Sequence, residues 1–325
     1  MSIHFIRAGL QTSIQDMGRP GLMHYGIPQG GAADPLSMKM ANLLLGNPFN
    51  NPVLEITLIG PRIEFDDDIS IAITGARFKV FLNSNAVDNF KVIQVKRGDT
   101  LEFSKLINGA RAYIGFSAKL SIPIIFDSAA THLISGFGGH RRGAIANNDR
   151  IYFKDIRIAE PAYLNREFQL NYQARPLFRV VDGAEKKRFS QSTVENFYKS
   201  TFQVSAQSNR MGIRLLPSVT LKSGTLGETL EEMISSGLQP GSIQVPNSGE
   251  PIISFIEGQT IGGYPRIAHI IRADIHRLGQ LKAQDKINFQ LVSQKDAKQI
   301  LRQKQHFLTK IQEKLRMEGE SPLTI

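Results

Sequence analysis

Residues 257–270 read EGQTIGGYPRIAHI and gather an amide, a hydroxyl, paired glycines, a phenol, a proline and a guanidinium between two apolar runs. Gln259 offers both a donor and an acceptor, Tyr264 a flat face and a hydroxyl, and Arg266 a permanent charge with a planar fork of donors. Such a stretch is either an ordinary turn between strands or a wall that holds a small polar molecule. A second dense constellation lies in residues 12–48, where Gln15, Asp16, Arg19, His24 and Asp34 stand among glycines and prolines. A backbone of that composition approaches a ligand closely. The same charges also suit a connector in which Asp and Arg pair with each other. The third candidate, GFGGHRRG over residues 136–143, is either an anion-binding nest beside Arg141 and Arg142 or a plain surface loop, and the plain reading is favoured.

Several chemistries are excluded by the spacing they require. The chain has no G-x-x-x-x-G-K-[ST] phosphate loop, and the 136–143 glycines lack the last glycine of G-x-G-x-x-G, so self-sufficient ATP binding is not expected. Its seven histidines never form H-E-x-x-H and no G-x-S-x-G elbow is present, so neither a zinc site nor an α/β-hydrolase triad is expected. With no cysteine at all, disulfides, thiolate metal sites and thiol nucleophiles are absent together.

The 325 residues, 41% apolar and 21% charged, suit two folded domains. No apolar run is long enough to span a bilayer and the first residues carry no secretory pattern, so a cytoplasmic protein without membrane contact is expected. Of the net charge of +10, residues 295–316 hold +5, from seven basic and two acidic side chains. There Ala297, Ile300, Leu301, Phe307, Leu308, Ile311 and Leu315 recur at three- and four-residue steps. That pattern is an amphipathic helix docked by its apolar face rather than a nucleic-acid stripe.

The elements that must position the candidates are mostly strands. Runs at 53–60, 69–75, 78–83, 90–95, 111–116 and 150–156 are short, rich in β-branched residues and bounded by turn formers. Asp34 before Pro35 predicts a helix N-cap, with the helix ending near Gly46. A second cycle of strand, short helix and strands starts near residue 177, with Ser190 or Ser192 as the helix cap. Two similar β-rich domains joined near 165–177 follow from this pattern.

The blocks SIQDMGRPG, GIPQGGAADPLSMKMANLLLGNP, AITGA, GFGG, SNRMGIRL, GSIQVPNSGEPI and QTIGGYPRIA occur in an order that resembles the biotin-dependent carboxyltransferase family, also called allophanate hydrolase subunit 2 or KipA-like. That family includes the C component of bacterial 5-oxoprolinase and resembles the carboxyltransferase region of urea amidolyase. The resemblance covers roughly residues 5–295. It implies a mainly β fold with a few short helices: one cyclophilin-like β-barrel over residues 1–170, another over 171–294, an active region between them, and a basic C-terminal helix and tail over 295–325. It implies work as one member of an assembly with a KipI-like partner, the B component, and in 5-oxoprolinases a LamB/YcsF-type A component as well. The implied activity is the ATP-dependent opening of 5-oxoproline to glutamate, with ATP bound outside this chain. Two alternatives stand beside it: a KipA-like regulatory protein without chemistry that sequesters a kinase inhibitor, and carboxyl transfer from carboxybiotin to urea. Biotin would then come from a partner, because Met38-Lys39-Met40 lies in the predicted helix rather than on a turn.

The resemblance assigns Tyr264, Arg266 and Gln259 to catalysis. It gives Gln15, Asp16, Arg19, His24, Asp34, Arg210, Thr260, Gly262 and Gly263 to substrate binding, and no metal. Several positions depart from the family pattern. Arg266 stands where a lysine is usual, Glu257 near an aspartate position, Ile261 at a threonine position and Asn209 in place of aspartate. Residues 117–120 and 127–131 lose glycines and an arginine. Arginine practically never gives up its proton, so Arg266 can hold charge but not relay protons.

Overall fold

A computed structural model of the chain describes residues 1–170, 172, 175–217 and 233–319. The chain divides into two units: Met1–Arg19, Gly30–Asn171 and His306–Ile325 form the first, and Pro20–Gln29 with Tyr172–Gln305 the second. The expected divisions near 170 and 295 thus describe the chain only in part. The second unit also takes the short 20–29 segment, and the C-terminal helix is shared at residue 305.

The first unit holds strands β1 Ser2–Arg7, β2 Gln11–Gln15, β3 Val53–Thr57, β4 Arg62–Phe65, β5 Ile69–Leu82, β6 Asn85–Val87, β7 Val92–Val95, β8 Thr100–Phe116, β9 Lys119–Leu120 and β10 Arg150–Lys154. They form one curled ten-stranded sheet in the order β2-β3-β8-β4-β1-β10-β9, from which β5 branches to pair with β6, β7 and β8. The strands expected separately at 69–75 and 78–83 are one long β5, because register shifts between Gly75 and Val80 bend it without breaking its ladder to β8. Ile3, Phe5, Ile14, Ile56, Phe65, Ile71, Phe103 and Phe116 fill the interior. Helix α1, Pro35–Leu44, starts where expected: the Asp34 carboxylate accepts from the backbone N–H groups of Leu36 and Ser37.

The second unit contributes β11 Leu177–Asp182, β12 Phe202–Val204, β13 Gly212–Pro217, β14 Ser236–Gly237, β15 Ser242–Gln244, β16 Ile252–Ser254, β17 Ile261–Gly262, β18 Arg266–Ile270 and β19 Lys286–Leu291. Seven of these close a barrel in the order β11-β18-β15-β16-β13-β12-β19, while β14 and β17 pair separately. Helix α2, Gln191–Lys199, is capped by the Ser190 hydroxyl. It sends Phe197 into the barrel, where that ring stacks on Phe289 at 4.9 Å and meets Phe202 at 5.4 Å. Helix α3, Gln294–Gly319, is the expected amphipathic helix. In the first unit it buries Ile311 and rests Phe307, Leu308 and Leu315 against Leu164 and Phe168. A chain built mainly of strands with few helices is what the sequence pattern predicts; closure as a barrel is seen in the second unit.

Truncating a fully buried ring in this aromatic cluster removes its packing and leaves a void. Phe197→Ala is therefore expected to cost about 3–5 kcal/mol, read as a lowered urea midpoint at unchanged slope.

Candidate functional site

A cavity of about 660 Å³ opens in the second unit. Its polar wall is made by His24, Gln239, Ser242, Thr260, Arg266 and His269, and its apolar wall includes Met23, Leu238 and Ile261. The barrel ladder explains why these groups meet. Strands β15 and β18 run antiparallel with Ser242 opposite His269, Ile243 opposite Ala268 and Gln244 opposite Arg266. Arg266 and His269 lie three residues apart, an odd step that puts side chains on opposite faces of a regular strand. The register shift between Ile243 and Gln244 leaves Ile267 as an extra residue, and with that bulge both side chains reach the same cavity.

Arg266 is held tightly. Its Nε and Nη2 donate to the two carboxylate oxygens of Glu185 at 2.6 and 2.5 Å, Nη2 donates also to the Ser236 hydroxyl at 3.1 Å, and Nη1 donates to the Gly237 carbonyl at 2.7 Å. The planar fork is thus already filled by Glu185, and of five donors these bonds leave one Nη1 hydrogen. Hydrogen bonding to Arg266 pulls the Glu185 carboxyl below the ordinary range, and the same bond raises the guanidinium. Gly183 makes this close approach possible, since a Cβ there would meet the Arg266 carbonyl oxygen at 2.1 Å.

His269 is half-buried, and its Nδ1 lies 3.1 Å from the Ser242 hydroxyl. Burial, reinforced by the neighbouring Arg266 charge, lowers its proton affinity, so the ring is neutral at pH 7. With Arg266 neutralised by Glu185 and His269 uncharged, the part of the wall built on β15 and β18 presents hydrogen-bonding groups without net charge.

The 259–266 segment serves two concavities rather than one. Thr260, Ile261 and Arg266 line the large cavity. Gln259 and Tyr264 instead line a smaller pocket of about 220 Å³ with Asn209, Gln244 and Ser254, and Leu238 touches both. Tyr264 is partly exposed at this pocket, and its backbone carbonyl accepts from Gln244 Nε2 at 3.3 Å. Gly262 leaves space for that amide, because a Cβ would come within 2.6 Å of Gln244 Nε2; Gly263 lies against the Met233 carbonyl. Arg210 sits below the surface, its Nε donating to Glu257 at 2.5 Å with both side chains almost wholly buried.

The remaining candidates belong to the first unit and are built into its framework. Asp16 accepts from the Gly18 and Ala129 N–H groups and from the Ser128 hydroxyl. Arg19 donates to the carbonyls of Ile125 and Ala130 and stacks over Phe137 at 4.7 Å. Gln15 donates to Ser13 and to the Thr131 carbonyl. Besides capping α1, Asp34 accepts from the Ser37 hydroxyl and donates its N–H to the Tyr113 oxygen, which itself donates to Glu55. Burial first, then the Glu55 and Asp34 charges, push the Tyr113 phenol well above its usual range. In the 136–143 loop Gly136, Arg141 and Arg142 are exposed, as in the plain surface-loop reading; Gly138 and Gly139 are buried, a Cβ on Gly139 meeting the Thr131 hydroxyl at 1.8 Å, and Arg141 pairs with Asp149 at 2.7 Å.

Three groups at the cavity went unpredicted. Glu185 lies in a polar turn without a motif, and Ser242 and His269 sit inside apolar strand runs whose pairing no local pattern reveals. Among the described residues no cluster of His, Asp and Glu has the arrangement of a metal site.

Glu185→Ala would leave the Arg266 fork without its acceptors at a largely buried position, at a cost of about 1–3 kcal/mol. Because the Glu185 carboxyl titrates lower when folded, the stability it provides is present above its unfolded value near 4.5 and is lost as pH falls through the folded one. Urea denaturation from pH 7 down to pH 3 should show an acid loss in the parent chain that is reduced in the variant.

Comparison with known proteins places the chain in a family. Residues 25–291 match the carboxyltransferase domain, subdomain A and B. The chain is 35% identical over 318 residues to the C subunit of the Escherichia coli 5-oxoprolinase, covering 98% of this chain and 100% of the relative. It is 29% identical to the urea amidolyase of Saccharomyces cerevisiae, where it covers 89% of this chain and 16% of that much longer protein. The crystal structure of the Kluyveromyces lactis urea carboxylase superposes with a TM-score of 0.88 at 26% identity, over 95% of this chain and 29% of the other. With a family match across most of its length and a relative aligned from end to end, the chain belongs to the carboxyltransferase domain family and to the class of subunits or regions that work inside 5-oxoprolinase and urea amidolyase enzymes.

Proposed function

We propose that this chain is the C-type subunit of a 5-oxoprolinase-type complex, which opens the lactam of 5-oxoproline to glutamate with ATP hydrolysis. The observation that carries this reading is the 35% identity with the C subunit of the E. coli enzyme, the whole of which the chain covers, against 29% with urea amidolyase. The cavity chemistry supports it. The lactam of 5-oxoproline presents one N–H and one carbonyl on the same edge, which the hydroxyl, amide and imidazole groups of this wall can serve, and the Nη1 hydrogen of Arg266 not bonded to Gly237 is the donor for its carboxylate.

ATP does not fit the same wall. Among its described lining residues Arg266 is the one permanent cation, and its charge is already matched by Glu185. A triphosphate calls for several unneutralised donors, which this wall lacks, and the proposed reading gives the nucleotide to another member of the complex. KipI-like and LamB/YcsF-type proteins are the proposed partners, the B and A components. The likeness to urea carboxylase supports a second reading, carboxyl transfer to urea, which requires biotin carried by a partner.

The test is reconstitution of this chain with its B-type and A-type partners. ATP-dependent loss of 5-oxoproline is the expected result; complex formation without turnover would favour a regulatory protein, and biotin-dependent urea carboxylation the second reading. Arg266→Ala removes one charged donor from the cavity and is expected to lower kcat/KM about 10- to 100-fold, the equivalent of losing a hydrogen bond to a charged group.

A further inference from the structure

Resting on the reading of this cavity as an amide site, we propose that His269, oriented by Ser242, is the proton acceptor of the reaction held there. The geometry is fixed by the barrel and not by a loop. Ser242 and His269 are direct cross-strand partners on β15 and β18, and both line the cavity. The Ser242 hydroxyl, 3.1 Å from Nδ1, belongs to a residue only 3% exposed, so bulk water competes little for that contact. When Nδ1–H donates to the Ser242 oxygen, Nε2 keeps its lone pair and is the basic atom. The groups around the ring favour the neutral base: Arg266 supplies a positive charge along β18, Glu185 is committed to Arg266, Val181 stands opposite on β11, and His24 lines the same cavity.

The step balances without any redox partner. As the water oxygen bonds to the carbonyl carbon, the C=O π pair moves onto the carbonyl oxygen, the water O–H pair stays on the attacking oxygen and the proton passes to Nε2. The oxygen pair then re-forms the C=O bond as the carbon–nitrogen bond breaks, and the nitrogen keeps that bond's electron pair and takes the proton back from His269. Ser242 does not touch the reacting atoms in this scheme; it is a positioning residue that selects the ring tautomer.

Two measurements decide the proposal, and they separate it from the reading on which it rests. In the assembled complex, His269→Gln should lower kcat for 5-oxoproline about 100-fold or more, as loss of a general base does, with KM changed less than about threefold. Ser242→Ala should lower kcat by a smaller factor and move the acid limb of the pH profile. His269→Gln with kcat within twofold of the parent overturns the proposal. If the parent complex fails to consume 5-oxoproline, the functional reading fails, and the proposal is then decided on the full-length chain alone. Nitrogen-15 spectra of the histidine rings should show the Nδ1–H tautomer at His269 and a shift of its Nε2 resonance when 2-pyrrolidinone is added, with the tautomer altered in Ser242→Ala. An Nε2–H tautomer in the parent chain, or no response to the lactam, overturns it.

Discussion

The antiparallel register between β15 and β18 is the constraint on which the rest of the second unit depends. It sets a hydroxyl opposite an imidazole, and the unpaired Ile267 turns the guanidinium of Arg266 toward the same space. A slip of one residue would exchange the two faces of the strand, carrying Ile267 and Ile270 outward and the polar groups into the barrel interior. The apolar positions oppose that slip. Ile243, Ile267 and Ile270 are fully buried, so the same hydrophobic burial that closes the barrel fixes the polar wall of the cavity.

The polar groups divide by what they are asked to hold. In the first unit Asp16, Arg19, Asp34 and Glu55 are buried and bonded to backbone groups and to neighbouring side chains, the condition under which charge is tolerated inside a protein. They fix turns and a helix start that glycine and proline alone would leave loosely defined. In the second unit the Arg266 and Glu185 pair keeps one side at the cavity, and its outermost donor marks where the scaffold ends and recognition starts.

How far the sequence could be read followed the range of the interactions. The α1 cap, the Ser190 cap and the apolar stripe of α3 were legible, because each depends on residues within a turn or two of one another. The mainly β character was legible from β-branched runs, while the union of 69–75 with 78–83 was not, since a long bent strand and two short ones have the same local composition. At the candidate site, His24, Thr260 and Arg266 line the large cavity, whereas Gln259 and Tyr264 line a neighbouring pocket. Ser242, His269 and Glu185 escaped notice because their meeting is made by strand pairing across 27 and 81 positions of chain.

Gly183 gives the cavity an unexpected fragility. Only a hydrogen atom fits between its α-carbon and the carbonyl of Arg266. A methyl group at that point would act as a wedge, levering apart two neighbouring segments whose own side chains had not changed. The range of sequences able to keep this wall is therefore narrower than its lining residues suggest, because one of its strictest requirements falls on a residue with no side chain to contribute.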